Sequence, residues 1–202
     1  MKYSHFWPSI PGWFGHAATF NLILDMIPND QFLFAEIGTF MGRGLSYFVV
    51  ESLIREKTGK IYAIDTFKGS EEHLNEDSPF YIPALKKDPD FLFKKYKEYT
   101  KTIQDYIITI QNESTKAAES FEDEYFDAIY LDAAHDYDNV MADLQAWSPK
   151  LKPDKFLLFG DDWNWDTVRQ AVEDFVADNT ELKIFITEPN EYVITNLDEL
   201  KK

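Results

Sequence analysis

Short apolar runs alternate with segments of helical periodicity along this chain of 202 residues. Runs rich in β-branched and aromatic residues predict strands at Gln31–Ile37, Lys60–Asp65, Ile107–Ile110, Phe126–Asp132, Phe156–Asp162, Leu182–Thr187 and Tyr192–Thr195. Apolar residues three and four apart predict helices between them, most clearly from Asp166 to Ala177. Strands separated by such helices predict an α/β fold with a doubly wound, mostly parallel sheet, and the last two strands are expected to form an antiparallel hairpin.

One interval, 66–106, is too long for a simple crossover between strands. It contains Pro79, Pro83 and Pro89, followed by a helical pattern from Phe91 to Lys101. Insertions of this length often cover a binding site, so we expect a lid-like insertion that contacts the substrate. No Gly/Ser-rich or Pro-rich linker divides the chain, and we therefore expect a single domain over residues 1–202.

Composition narrows the classes of function. The chain has 20 basic and 36 acidic residues, a net charge of −16, and no cysteine. The charge argues against a nucleic-acid partner, and the missing cysteines exclude disulfides, thiolate metal sites and a cysteine nucleophile. No apolar stretch approaches the ~18 residues of a membrane span, and no signal-peptide pattern is found at the N-terminus. We therefore expect no membrane association and take the cytoplasm as the default location.

Three aspartates directly end two of the predicted strands. Asp132 ends one strand, and Asp161 and Asp162 end the next. A strand–helix–strand unit brings both strand ends to the same edge of a parallel sheet, where open α/β folds bind ligands. Carboxylates gathered there repel one another unless they are protonated or bind a divalent cation, so we expect a metal site in an enzyme. The structural alternative is that they accept backbone N–H groups, with Asp162, Asn164 or Asp166 as a helix cap.

A glycine-rich turn follows the first predicted strand. The segment EIGTFMGRG at 36–44 spaces its glycines as G-x-x-x-G-x-G, two residues after Glu36. Such a turn lets the backbone pass close to a ligand, although many α/β proteins use one only for tight packing. The next strand ends in Asp65, a suitable acceptor for ribose hydroxyls. Because the dinucleotide pattern G-x-G-x-x-G is missing, a nucleoside with a cationic group fits better than a nicotinamide dinucleotide.

Four segments, in order, resemble those of the class I S-adenosylmethionine-dependent methyltransferases. They are EIGTFMGRG at 36–44, YAIDTFKG at 62–69, FDAIYLDAAHDY at 126–137 and LKPDKFLLFGDD at 151–162. Within that class they are most similar to small bacterial methyltransferase domains related to the metal-dependent O-methyltransferases of macrolide sugar tailoring. The resemblance implies a Rossmann-like, seven-stranded sheet in the order 3-2-1-4-5-7-6.

The resemblance also implies the roles of particular residues. The implied contacts of the cofactor S-adenosylmethionine are Glu36, Gly38 and Gly42 at the methionine end, Asp65 at the ribose, Ser114 near the adenine, and Asp132. The implied ligands of a divalent cation, with Mg²⁺ preferred, are Asp132, Asp161 and Asp162. The implied general base is His135. Many relatives have an acid shortly after the first aspartate, whereas this chain has Ala133 and Ala134, which leaves His135 as the main candidate.

The expected function is methyl transfer to a hydroxyl group of a small acceptor, such as a sugar or a diol. A cation would hold vicinal hydroxyl oxygens and lower their pKa, and His135 would accept the proton. One alternative is a non-catalytic module that binds a small molecule or a cation on the same fold. His135 could also be a packed residue at a helix start. The expected partner is the hydroxylated acceptor, and assembly into a homo-oligomer stays open.

Three other residues are expected to have structural roles. Trp163 and Trp165 are more often core aromatics than walls of a substrate pocket at such positions. His73 is expected to be an exposed loop histidine.

Overall fold

The computed structural model describes residues 3–201 and contains a seven-stranded sheet in the order β3-β2-β1-β4-β5-β7-β6. The strands are Asp30–Ile37 (β1), Thr58–Asp65 (β2), Ile107–Gln111 (β3), Ala128–Leu131 (β4), Leu158–Gly160 (β5), Lys183–Glu188 (β6) and Glu191–Thr195 (β7). The helices are Ala17–Met26 (α1), Arg43–Ile54 (α2), Glu71–Leu74 (α3), Pro83–Lys87 (α4), Phe91–Tyr99 (α5), Ser114–Ala118 (α6), Tyr137–Trp147 (α7) and Asp166–Asp178 (α8). Short 3₁₀ segments are Trp7–Ser9, Lys101–Tyr106, Ser148–Lys150 and Pro153–Lys155.

The pairing of the strands confirms the predicted fold class. β1 lies between β2 and β4 in parallel pairs, and β4 pairs in parallel with β5. β7 is antiparallel to both β5 and β6, as expected for a terminal hairpin. This arrangement brings the carboxyl ends of β1, β2, β4 and β5 to one edge of the sheet. No helix of the described part of the chain is long and apolar enough to cross a membrane.

Side chains of β1 alternate between two hydrophobic cores, one on each face of the sheet. Phe32 and Phe34 pack in the core that contains α1 and α2, whereas Ala35 and Ile37 pack in the core that contains α7 and α8. This alternation follows from the two-residue period of a strand. Glu36 has the same parity as Phe34, so its carboxyl group lies on the α2 side of the sheet.

The two aspartate-ended strands are shorter than predicted. β4 ends at Leu131 and β5 at Gly160, so Asp132, Asp161 and Asp162 all lie in the turns that follow. Asp162 has φ 64°, a left-handed conformation that interrupts strand pairing.

The helix after Asp132 begins at Tyr137, two residues after His135, for which a position at a helix start was one interpretation. α7 starts at Tyr137 because the side chain of Asp136 accepts the backbone N–H of Asn139 at 3.1 Å and caps the helix. His135 therefore lies in the loop before the helix rather than in its first turn.

The predicted insertion, 66–106, forms α3, α4 and α5. Four of its side chains are buried in the core on the α2 face of the sheet, namely Leu85, Leu92, Tyr96 and Ile103. A large part of the insertion therefore belongs to the packed fold. Its first part, near α3, borders the cavity described below. A lid function, and a single domain over 1–202, stay predictions. Met1, Lys2 and Lys202 lie outside the described residues.

Candidate active site

A cavity of about 600 Å³ opens at the carboxyl ends of β1, β2, β4 and β5. Most of the candidate residues named from the sequence line it, namely Glu36, Gly38, Asp65, Ser114, Asp132, His135, Asp161 and Asp162. Gly42 is the exception among them. It precedes α2 with φ 85°, and a Cβ there would lie 2.6 Å from Cγ2 of Thr100. Gly42 therefore packs against Thr100 of the insertion rather than lining the cavity.

Glu36 is a buried carboxyl group at the end of β1. Only 3% of the residue is exposed, and its Oε2 atom has no hydrogen-bond partner in the described part of the chain. Burial raises the pKa of Glu36 well above its ordinary value, against the effect of a hydrogen bond from the backbone of Leu45. A buried acceptor without a donor at a cavity wall is a suitable partner for a cationic ligand group.

Asp65 connects the two loops that follow β1 and β2. Its Oδ2 atom accepts the backbone N–H of Phe40 at 2.6 Å, and Oδ1 accepts that of Phe67 at 2.6 Å. Burial raises the pKa of Asp65, although these backbone hydrogen bonds lower it. Each carboxylate oxygen can accept a second hydrogen bond, so Asp65 is able to bind a ligand hydroxyl while it holds the loops.

Gly38 allows the turn after β1 to approach β4 closely. Its φ is 89°, and a Cβ there would lie 2.0 Å from the carbonyl oxygen of Asp132. A side chain at this position is therefore incompatible with the observed backbone. Close packing against the backbone of Asp132 is thus sufficient reason for a glycine at this position, and the same residue also lines the cavity.

Ser114 belongs to a buried hydrogen-bond chain at another part of the cavity wall. Its hydroxyl donates to Oδ1 of Asp143 and accepts the indole N–H of Trp147 at 2.9 Å. Asp143 is 7% exposed, and burial raises its pKa to about 6. The sequence interpretation missed Asp143, although its position offered a signal, because it is an acid on the apolar stripe of α7 formed with Val140 and Trp147.

Asp132, His135 and Asp162 form one group of side chains with potential metal-ligand atoms within 4.8 Å of one another. His135 Nε2 lies 2.9 Å from Asp162 Oδ2, and its Nδ1 lies 3.6 Å from Oε1 of Glu72 on α3. Burial alone lowers the pKa of His135, but the hydrogen bond to Asp162 and the nearby acids outweigh it and raise the pKa overall. Burial, together with the charges of Asp161 and Asp162, raises the pKa of Asp132 well above its ordinary value.

Asp161 belongs to a second group, with His16 and Glu191. Its Oδ2 atom lies 3.4 Å from Nδ1 of His16, while Oδ1 accepts the backbone N–H of Asp162 at 2.8 Å. The three aspartates predicted to share one ion are thus divided between two neighbouring groups. Their joint coordination of one cation stays a prediction. The sequence interpretation missed His16 and Glu191, which are remote in sequence and carry no motif.

The proposed helix-cap role of the acids is not observed. α8 begins after Trp165, and no side chain caps it. The carboxyl groups of Asp132 and Asp162 lie instead beside His135, on the cavity wall.

Of three aromatic rings near the cavity, Trp165 and His73 differ from their expected positions and Trp163 agrees. Trp165 is 39% exposed, lines the cavity and lies against His135 with 4.8 Å between ring centroids. Trp163 does pack in the core, beside Tyr192. His73 is only 8% exposed, because its ring stacks on Phe40 and its Nδ1 atom accepts the backbone N–H of Ser70.

Comparison with known proteins agrees with this geometry. Residues 35–162, well over half of the chain, match a family described as a methyltransferase domain. An uncharacterized protein of Sinorhizobium fredii, y4gI, is 25% identical over 126 residues, which are 62% of this chain but only 12% of that protein.

Solved structures of three O-methyltransferases show a similar fold at low sequence identity. The O-methyltransferase NovP is 12% identical with a TM-score of 0.62, and the alignment covers 88% of this chain and 79% of NovP. For CalS11, a TDP-rhamnose 3′-O-methyltransferase of calicheamicin biosynthesis, the identity is 16%, the TM-score 0.54, and the coverage 88% and 75%. A SAM-dependent O-methyltransferase from Thermotoga maritima is 9% identical with a TM-score of 0.61, covering 95% and 69%.

These structures share the fold of the chain, and the family match spans the strands whose ends surround the cavity. The chain therefore belongs to the methyltransferase-domain family and has the Rossmann-like fold of S-adenosylmethionine-dependent methyltransferases.

Proposed function

We propose that this protein transfers the methyl group of S-adenosylmethionine to a hydroxyl of a small acceptor, a sugar or another diol, with the help of a divalent cation. The observation that carries the proposal is one cavity with two kinds of acidic site. Glu36 and Asp65 line it at the ends of β1 and β2, and the group Asp132–His135–Asp162 lines it beyond β4 and β5.

The residues present fit the cofactor. The Oε2 atom of Glu36, buried and without a hydrogen-bond partner in the described chain, suits an ammonium or sulfonium group. Asp65 has acceptor capacity left for ribose hydroxyls, and Ser114 with Asp143 would contact the adenine. The bound cofactor supplies an electrophilic methyl group, whose transfer leaves a neutral thioether.

The residues present also fit a divalent cation. Asp132 and Asp162 provide two hard carboxylate ligands beside the cavity, a donor set that suits Mg²⁺. The carboxyl group of Asp161 is turned toward His16, so we propose it as a ligand only if the turn at 161–162 rearranges. A cation held there would lower the pKa of an acceptor hydroxyl.

His135 is the proposed proton acceptor. Its Nε2 atom faces Asp162, which leaves Nδ1, on the side of Glu72, as the nitrogen available to a substrate proton. The exposed ring of Trp165 lies beside it and offers a flat apolar surface for a sugar or phenol ring. Similarity to CalS11, which acts on TDP-rhamnose, supports a sugar as the first acceptor to test.

Calorimetric titration with S-adenosylhomocysteine and S-adenosylmethionine tests the cofactor step. We expect micromolar binding by the wild type and at least about tenfold weaker binding by Glu36→Gln, which keeps the shape of the side chain but cannot ionise when a cationic ligand binds. Glu122→Gln, an exposed residue outside the cavity wall, is the matched control and should bind normally. Failure of the wild type to bind either nucleoside would overturn the proposal.

Methyl transfer is tested with isotopically labelled S-adenosylmethionine and two acceptors, TDP-rhamnose and catechol, in Mg²⁺ or in EDTA. We expect labelled product in Mg²⁺, little in EDTA, and a loss of about 10²-fold or more in His135→Asn. Cofactor binding with no transfer to any hydroxylated acceptor would favour the non-catalytic binding module instead.

A further inference from the structure

Three side chains from separate elements meet behind the cavity, outside the group Asp132–His135–Asp162. His16 precedes α1, Asp161 follows β5, and Glu191 begins β7. Their potential ligand atoms all lie within 4.8 Å of one another. His16 is 3% exposed and Glu191 1% exposed, so these two side chains are almost completely shielded from solvent. His16 and Asp161 line the cavity, which gives a small ion a route to the group.

Some buried polar atoms at this group lack a hydrogen-bond partner in the described part of the chain. Neither carboxyl oxygen of Glu191 has a hydrogen-bond partner in the described chain, although His16 Nδ1 is in contact with Oε1. The hydroxyl of Tyr130, buried against the ring of His16 at 5.4 Å between centroids, also has none. The contact with His16 leaves Oε2 of this buried side chain and the Tyr130 hydroxyl without a partner, and a bound positive charge would supply one.

We propose that His16, Asp161 and Glu191 bind a divalent transition-metal ion, with Zn²⁺ or Mn²⁺ as the chemical class. One imidazole nitrogen and two carboxylates form a donor set that these ions prefer, whereas Mg²⁺ prefers oxygen ligands and water. Ligand atoms bound at about 2.0–2.2 Å in a tetrahedral site lie about 3.4 Å apart, which is the observed separation of His16 Nδ1 and Asp161 Oδ2. Glu191 Oε1 is in direct contact with His16 Nδ1, so binding of an ion requires this pair to separate or Oε2 to serve as the ligand.

In the observed conformation of the turn, this group shares no residue with the group Asp132–His135–Asp162. They are nevertheless linked through the backbone, since the N–H of Asp162 donates to Oδ1 of Asp161 at 2.8 Å. An ion at the new site would hold α1, β5 and the β6–β7 hairpin together and would fix the turn that carries Asp162. The inference does not rest on methyl transfer and can hold or fail independently of it.

The atoms involved give a direct test on the wild-type protein. The chain has four histidines, and His16 faces its group through Nδ1, whereas His135 faces Asp162 through Nε2. We would label the histidines with ¹⁵N, add ¹¹³Cd²⁺ as a substitute for Zn²⁺, and record ¹⁵N–¹¹³Cd couplings. A coupling to an Nδ1 nitrogen that persists in His135→Asn is the expected result. Coupling to Nε2 alone, no coupling at all, or a doubly protonated His16 would overturn the proposal.

Metal content gives a second test. After dialysis against Zn²⁺, we expect Glu191→Gln to retain one equivalent fewer than the wild type, or to bind it at least about tenfold more weakly. His135→Asn, changed in the other group, should keep that equivalent. Equal content and affinity in the wild type and Glu191→Gln would contradict the inference. The ¹⁵N experiment decides the matter if the variant does not fold.

Discussion

Burial of the ionised Asp143 carboxylate should lower the stability of the folded protein, and the size of this effect can be estimated from the structure. The residue is 7% exposed, and its Oδ1 atom accepts the hydroxyl of Ser114. Burial raises its pKa from the ordinary 3.8 to about 6, even though the hydrogen bond from Ser114 lowers it. The unfolded chain exposes this carboxyl group to water, so its pKa there returns to the ordinary value.

The sign of the effect on stability follows from these two values. Because the folded-state pKa is the higher one, the folded protein holds this proton more tightly, and stability from this group is lost as the pH rises from 3.8 to about 6. Each pH unit in that interval corresponds to about 1.4 kcal/mol, which gives about 3 kcal/mol in total at neutral pH. Below the interval the group is protonated in both states and contributes no difference.

Asp143→Asn tests this reasoning. Asparagine has nearly the same shape and can still accept the Ser114 hydroxyl, but it does not ionise. We therefore expect the variant to be more stable than the wild type by about 1–3 kcal/mol at pH 7.5, with the difference falling toward zero near pH 4. Urea denaturation followed by tryptophan fluorescence, from pH 4 to 8 without ligands, measures the free energy of unfolding.

Asp138→Asn is the matched control, since Asp138 is an exposed acid in the first turn of the same helix. It should lose about 0.3–1 kcal/mol, because a negative charge near a helix N-terminus is favourable. A variant Asp143→Asn that is less stable at pH 7.5, or one whose advantage does not depend on pH, would refute the argument from burial.

Three further results are expected. Gly38→Ala should lower the free energy of unfolding, measured by urea denaturation, by about 2 kcal/mol or more, because its Cβ would lie 2.0 Å from the carbonyl oxygen of Asp132. Gly15→Ala is the control: its Cβ would meet no atom within 4 Å, so its stability should be nearly unchanged. Asp127→Ala should lose about 1.5–3 kcal/mol in the same assay, because Asp127 Oδ2 accepts the backbone N–H of Leu33 at 2.7 Å. EDTA should abolish most methyl transfer while S-adenosylhomocysteine still binds by calorimetry, and equal loss of both would contradict separate cofactor and cation sites.

The fold class could be predicted from the sequence because the strands are apolar runs between amphipathic helices. The order of the strands in the sheet was implied by the resemblance over four segments. The ends of the strands could be predicted less well from the sequence. Phe156 and Asp162 belong to the predicted fifth strand, but the observed strand is only Leu158–Gly160. A run of apolar residues predicts burial, and Leu157 is indeed fully buried without being part of the strand. Burial and strand pairing are different properties, and the pattern detects only the first.

The candidate site was predicted in part, since most of the named residues do line one cavity. The missed residues have physical reasons. His16 and Glu191 come from elements far apart in sequence: the antiparallel pairing of β7 with β5 places Glu191 near Asp161, and the packing of α1 places His16 there. His73 was expected to be exposed, and the backbone of Ser70 and the ring of Phe40 enclose it instead. Contacts of this kind depend on tertiary packing that no local pattern records.

The division of the acid pair at 161–162 arises in the turn that follows β5. Successive side chains of a strand point to opposite faces, so two adjacent carboxylates do not meet the same ion unless the backbone turns between them. Here Asp162 adopts φ 64° and donates its N–H to the side chain of Asp161. The two carboxyl groups diverge, one toward His16 and the other toward His135. Acids at strand ends therefore locate the acidic edge of the sheet, but they do not tell which carboxyl groups share a ligand, because that depends on the conformation of the turn.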